Sequence, residues 1–155
     1  MTWRPMLPAD LSMVASIAEQ VHPDYPEDPA VFAERLALFP AGCFMFGAVG
    51  YLIAHPWMLA SPPQLNTLLG ALPAAPDTMF VHDLALLPEA RGRGHAGEAV
   101  ALILRVAGPL ELSLVSVGLA SGFWRRYGFA PVGDAAVQAS LSRYGAGACL
   151  MVRQA

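Results

Sequence analysis

Apolar residues fall at helical spacing over residues 11–21, at Leu11, Val14, Ala15, Ala18 and Val21, directly after a Pro8-Ala9-Asp10 helix start. A second helix is predicted over residues 30–39, and a short strand over residues 2–7 precedes both. Residues 42–48 and 51–55 read as two strands joined by a tight turn at Val49-Gly50. Residues 57–77 are irregular, with room for a helical turn over 64–72. Residues 78–87 form the clearest strand, followed by a loop to Arg93 and a helix over 94–107 that Gly108-Pro109 breaks. The chain then reads as strand 110–117, helix 119–127, strand 128–132 and a last strand over 147–152. Strands and helices in this order predict one mixed α/β domain over residues 1–155, without a linker or repeat.

Composition adds exclusions. Of the 155 residues, 55% are hydrophobic and 14% charged, which suits a packed domain and not a disordered chain. A net charge of −3 offers no basic field for nucleic acid. All positive side chains are Arg; no Lys occurs. Two widely separated cysteines, Cys43 and Cys149, and no signal-peptide pattern at the start point to a reduced, cytoplasmic protein. Residues 36–76 carry no Asp, Glu, Lys or Arg, but prolines at 40, 56, 62, 63 and 73 interrupt them, so no membrane span is expected. A buried hairpin with a Pro-rich loop accounts for this stretch; a partly exposed apolar surface used for a homodimer or a greasy substrate is the alternative.

The candidate chemistry centres on residues 80–97, where a strand runs through a glycine-rich turn into a helix. Free N–H groups and the dipole at a helix start favour a pyrophosphate, and glycine permits close approach. Gly92-Arg-Gly-His-Ala-Gly97 matches G-x-G-x-x-G, but a dinucleotide fold wants an acid at the end of the next strand, which here ends Leu114-Val-Ser-Val117. A P-loop would need a lysine. An ordinary tight turn stays open on the glycines alone.

The larger pattern resembles one family. Arg91-x-x-Gly94-x-Ala96, preceded by Leu84-Ala85-Leu86 and Pro88, is similar to the acetyl-CoA-binding motif of the GCN5-related N-acetyltransferase (GNAT) superfamily. Ala120-Ser-Gly-Phe-Trp-Arg-Arg-Tyr-Gly-Phe129 resembles the family's second conserved segment. The resemblance implies a mostly antiparallel sheet with a splayed central strand pair, flanked by helices. It implies transfer of acetyl from acetyl-CoA to a primary amine of a small molecule, with no metal. Leu84, Ala85 and Leu86 would meet the pantetheine arm. Arg91, Gly92, Arg93, Gly94, His95, Ala96 and Gly97 would cradle the pyrophosphate, and Phe123 and Trp124 would flank the cofactor. A non-catalytic acyl-CoA sensor is the alternative.

Acetyl transfer needs a base for the ammonium, and an imidazole titrates near neutrality. His82 is the candidate base; His22 and His55 are weaker ones, and their scatter does not suggest a metal site. Strand alternation predicts Phe80, His82, Leu84 and Leu86 on one face, with Val81, Asp83, Ala85 and Leu87 on the other. Trp124 stands where the family commonly has a tyrosine acid, and indole is not a proton donor at neutral pH. Tyr127, one helical turn on, is the substitute candidate. In the loop at residues 22–29, Asp24, Glu27 and Asp28 would attract a cationic amine and Tyr25 would wall it; a solvated acidic loop is the alternative. Asp83 is assigned to the substrate side or to a structural role.

Overall fold

The computed structural model describes all 155 residues. Seven strands form one sheet: β1 (Trp3–Pro5), β2 (Cys43–Phe46), β3 (Gly50–Trp57), β4 (Thr78–Leu86), β5 (Glu111–Ser116), β6 (Ala130–Pro131) and β7 (Cys149–Arg153). Their spatial order is β1-β2-β3-β4-β5-β7-β6. Every pair is antiparallel except β4–β5. The helices are α1 (Leu11–Val21), α2 (Pro29–Leu38), α3 (His95–Ala107), α4 (Ser121–Arg125) and α5 (Ala135–Ser140). No helix is long and apolar enough to cross a membrane.

Two apolar layers sandwich the sheet. On one face Ala99 and Ile103 of α3 pack on Leu52, Met79, Val81, Leu112 and Leu114. On the other, Val14 and Ile17 of α1 and Phe32 and Leu36 of α2 cover Met45, Tyr51, Ile53 and Ala85. The amphipathic spacing of α1 and α3 is what lets each bury one stripe. Asp28 caps α2, its carboxylate accepting the Ala30 N–H at 2.9 Å, and Pro29 opens the first turn. The uncharged stretch is absorbed mainly as the buried β2–β3 hairpin; of its large apolar side chains only Met58 and Leu68 are exposed.

Three expectations change. No helical turn forms over residues 64–72. Instead residues 58–77 make an irregular crossing, pinned where Tyr144 Oη donates to the Pro63 carbonyl and Gln64 Nε2 to the Ser140 carbonyl, each at 2.7 Å. The sequence reading also lacks α5, whose Val137 joins Leu141, Tyr144 and Leu150 in a third cluster beside this crossing. Finally, the even alternation of β4 fails. Ile53 pairs with Asp83 and Ala54 with Val81, so His82 is the extra residue of a β-bulge. Beyond the bulge the faces swap: Val81 and Leu84 both pack with the α3 layer, and His82 and Asp83 both turn toward α1 and α2.

Candidate active site

β4 and β5 part company early. They pair only from Thr78 to Phe80 against Glu111 to Ser113. Beyond that, the β5-facing backbone of β4 has no strand partner, which leaves a gap lined with free backbone groups. A cavity of about 190 Å³ occupies the gap. Its walls are Val81, His82, Asp83 and Leu84 of β4, Leu114 and Val115 of β5, and Phe123 and Trp124 of α4. The far side is closed by Tyr25 and Glu27 of the α1–α2 loop, by Leu65 of the crossing, and by Tyr144. The Phe123 and Trp124 rings stack with centroids 4.9 Å apart.

Two imidazole–carboxylate pairs stand in this wall. His82 Nε2 lies 2.7 Å from Glu27 Oε1, and both side chains are nearly buried. Burial opposes the Glu27 charge. The His82 hydrogen bond and charge, with the Asn66 N–H, outweigh it, so the Glu27 pKa lies below its ordinary value. A carboxylate only accepts, so His82 donates through Nε2–H, and in the neutral ring Nδ1 would carry the lone pair. The ring also meets Phe32 edge-on, centroids 6.3 Å apart.

The second pair is His22 with Asp83, 2.7 Å from Nε2 to Oδ1. Tyr51 Oη donates to the other Asp83 oxygen. Burial would lower His22, but the Asp83 hydrogen bond and charge raise its pKa overall. Burial would raise Asp83, but the His22 bond and charge hold its pKa low. Burial, then Asp83, push the Tyr51 phenol well up. Asp83 therefore has both oxygens committed to the protein. His55 lies apart, fully buried, with Nδ1–H donating to the Pro56 carbonyl; burial pushes its pKa down to about 3.

The glycine turn follows β4 at the end where β5 has parted from it. Gly94 caps α3 at φ 84°, and Gly92 has φ 74°. These left-handed angles are why glycine stands there. A Cβ at either position would meet nothing within 4 Å, so the turn faces open space. The N–H groups of His95, Ala96 and Gly97 precede the first intrahelical bond, from Glu98 to Gly94. This fits a phosphate group. Arg93 is exposed, whereas Arg91 folds back, its Nε donating to the Leu86 carbonyl at 2.9 Å. His95 stacks on Phe46 at 4.2 Å.

The structure thus gathers His82, Asp83, Leu84, Tyr25, Phe123 and Trp124 around one cavity. Ala85 and Leu86 are buried and pair with Tyr51 and Gly50 of β3, and the Leu86 carbonyl is taken by Arg91. Tyr127 is not in the cavity wall. Its ring covers Gly97, where a Cβ would sit 3.3 Å from its Cε1. From sequence alone Glu27 is one acid of the polar 22–29 loop. No spacing links residues 27 and 82; only the path of the α1–α2 loop over β4 does.

No family model and no curated protein matches this chain in sequence. Solved structures match it in three dimensions. It is similar to the GphF GNAT-like decarboxylase in complex with isobutyryl-CoA, at 14% identity over 99% of each chain with a TM-score of 0.79. It is similar to the loading GNATL domain of CurA from Lyngbya majuscula, at 12% identity over 99% of this chain and 96% of that one, TM-score 0.71. It is also similar to an N-acetyltransferase from Staphylococcus aureus Mu50, at 15% identity over 98% of this chain and 100% of that one, TM-score 0.67. With the seven-stranded sheet, the parted β4–β5 pair and the glycine turn capping α3, these likenesses give the chain the fold of the GCN5-related N-acetyltransferases.

Proposed function

We propose that this protein transfers the acetyl group of acetyl-CoA to the primary amine of a small molecule. The observation that carries the reading is the His82–Glu27 pair set in the wall of the gap between β4 and β5. Pantetheine would lie in that gap, against the backbone of Leu84, Ala85 and Leu86, and the pyrophosphate on the N–H groups that open α3. Bound there, the thioester supplies the activated acetyl group. The remaining demands fall on the chain. His82 Nδ1 takes the proton of the incoming ammonium, directly or through one water. Glu27 holds the Nε2–H and stabilises the imidazolium that forms, as the carboxylate of a triad does. A free N–H on the open edge of β4 meets the developing oxyanion. The walls contributed by Tyr25, Leu65 and Tyr144 leave space for a compact acceptor, which supports a small amine.

A second reading is loss of CO2 from a carboxyacyl-CoA. The likeness to the GphF GNAT-like decarboxylase favours it, and so does the absence of Tyr127 from the cavity wall. Decarboxylation needs a proton delivered to the α-carbon, which an imidazolium at His82 would supply, and it needs no acid for a departing thiolate. The ionised Glu27 and Asp83 weigh against it, because a substrate carboxylate would be repelled.

Acetyl-CoA and malonyl-CoA should be offered separately with a panel of amines. Amine-dependent thiol release from acetyl-CoA supports transfer. CO2 release from malonyl-CoA without an amine supports the second reading. Binding without either product identifies an acyl-CoA sensor.

A further inference from the structure

Residues 58–77 close the acceptor side of the cavity through Leu65. The central part of this crossing is held by α2 and the α1–α2 loop. Asp28 N–H donates to Asn66 Oδ1 at 2.7 Å. Glu34 accepts the Leu69 and Gly70 N–H groups at 2.6 and 3.0 Å. Arg35, fully buried, donates through Nη1 to the Thr67 carbonyl at 3.0 Å. The fifth tether is Glu27 Oε2, which accepts the Asn66 N–H at 3.0 Å. Asn66 adopts φ 57° to reach it, a left-handed angle that asparagine tolerates better than most residues.

Glu27 therefore has two duties. One oxygen seats the crossing and the other orients His82. Its side chain is 7% exposed, so water replaces a lost partner poorly, and an unseated Asn66 leaves the carboxylate free to rotate. We propose that Glu27 is a positioning residue that couples seating of the crossing to the orientation of His82. The base is then assembled only while the acceptor side is closed. The catalytic meaning rests on the acetyl-transfer reading; the mechanical coupling does not.

The test reads both ends of the coupling. Nitrogen NMR of the His82 ring reports its tautomer, and amide hydrogen exchange reports the seating of residues 66–70. Two variants loosen the crossing without touching His82. Asn66→Gly removes the acceptor for Asp28 N–H and keeps the backbone angle accessible; Glu34→Ala frees Leu69 and Gly70. Asn66→Gly, which loses one hydrogen bond, should speed exchange over 66–70 by about 10-fold, and Glu34→Ala, which loses two and the Arg35 ion pair, by more. Each should also move the His82 ring signals and lower kcat about 10-fold, with KM for acetyl-CoA unchanged. Glu27→Gln should raise the fraction of the Nδ1–H tautomer, because its amide can donate to Nε2. The proposal is overturned if the crossing loosens while the His82 signals stay at their wild-type positions, if neither variant loosens it, or if Glu27→Gln leaves the tautomer unchanged. Wild-type protein that shows the NMR coupling but transfers no acetyl group would remove the acetyl-transfer reading alone.

Discussion

Glu27 and His82 are 55 positions apart in the chain and 2.7 Å apart in space, joined because a β-bulge turns the imidazole toward the loop that carries the carboxylate. The same bulge brings Asp83 to that side, where His22 and Tyr51 take both its oxygens. The cavity wall therefore holds one imidazole–carboxylate pair beside a second polar cluster that is internally satisfied.

The glycine turn gives a charge-specific prediction. Asparagine and aspartate both tolerate the left-handed angle at position 94, and the space there is open. Gly94→Asn should keep most of the thermal stabilisation by coenzyme A, which arises by mass action. Gly94→Asp should abolish it, by setting a negative charge at the proposed phosphate seat. Equal shifts in the two variants, read by differential scanning fluorimetry, would contradict the pyrophosphate seat.

Trp124 lines the cavity and Tyr127 does not. Trp124→Phe should weaken coenzyme A binding by about 1 kcal/mol, the scale of lost aromatic contact, with little change in kcat. Tyr127→Phe should leave the basic limb of the pH–rate profile where it is. A flattened basic limb would place the Tyr127 hydroxyl at the leaving thiolate.

The His22–Asp83 pair should set a pH window for stability. The Asp83 pKa is depressed, so its contribution is present above the ordinary carboxylate range and is lost as pH falls through the lowered value. The His22 pKa is raised, so its contribution is full below the ordinary 6.5 and is lost as pH rises through the raised value. His22→Gln should remove the alkaline decline in the thermal midpoint and also weaken the acidic one, because His22 is the main group that holds the Asp83 pKa low. Retention of the alkaline decline would assign it to another group.

Tyr51→Phe removes the hydroxyl that donates to Asp83 and keeps the ring among Phe32 and the sheet. One buried carboxylate oxygen then lacks a donor, at a cost of about 1–3 kcal/mol. Chemical denaturation measures this directly, and a loss under about 0.5 kcal/mol would mean that water reaches Asp83.

Much of the fold was legible locally. The spacing of Leu11, Val14, Ala18 and Val21 predicts α1 with its observed bounds, and the apolar run before the glycine turn predicts β4. The glycine turn was legible because glycine at positive φ leaves a mark in sequence. The bulge was not: Val-His-Asp-Leu carries no bulge signal, so period-two alternation put His82 and Asp83 on opposite faces. Glu27 stayed hidden for a different reason. It sits among prolines and other acids, and its partners, His82 and Asn66, are set by tertiary packing. Helix α5 is short and weakly amphipathic, and its cluster forms only against residues 58–77.

The central claim is that His82, held by Glu27, serves acetyl transfer in this cavity. It is tested most directly by mass-spectrometric detection of the acetylated amine from isotopically labelled acetyl-CoA, comparing wild type with His82→Ala. The expected result is labelled product from the wild type, a turnover lower by about 10² or more in the variant, and an unchanged thermal shift with coenzyme A in both. Equal turnover by His82→Ala, with the shift intact, would contradict it.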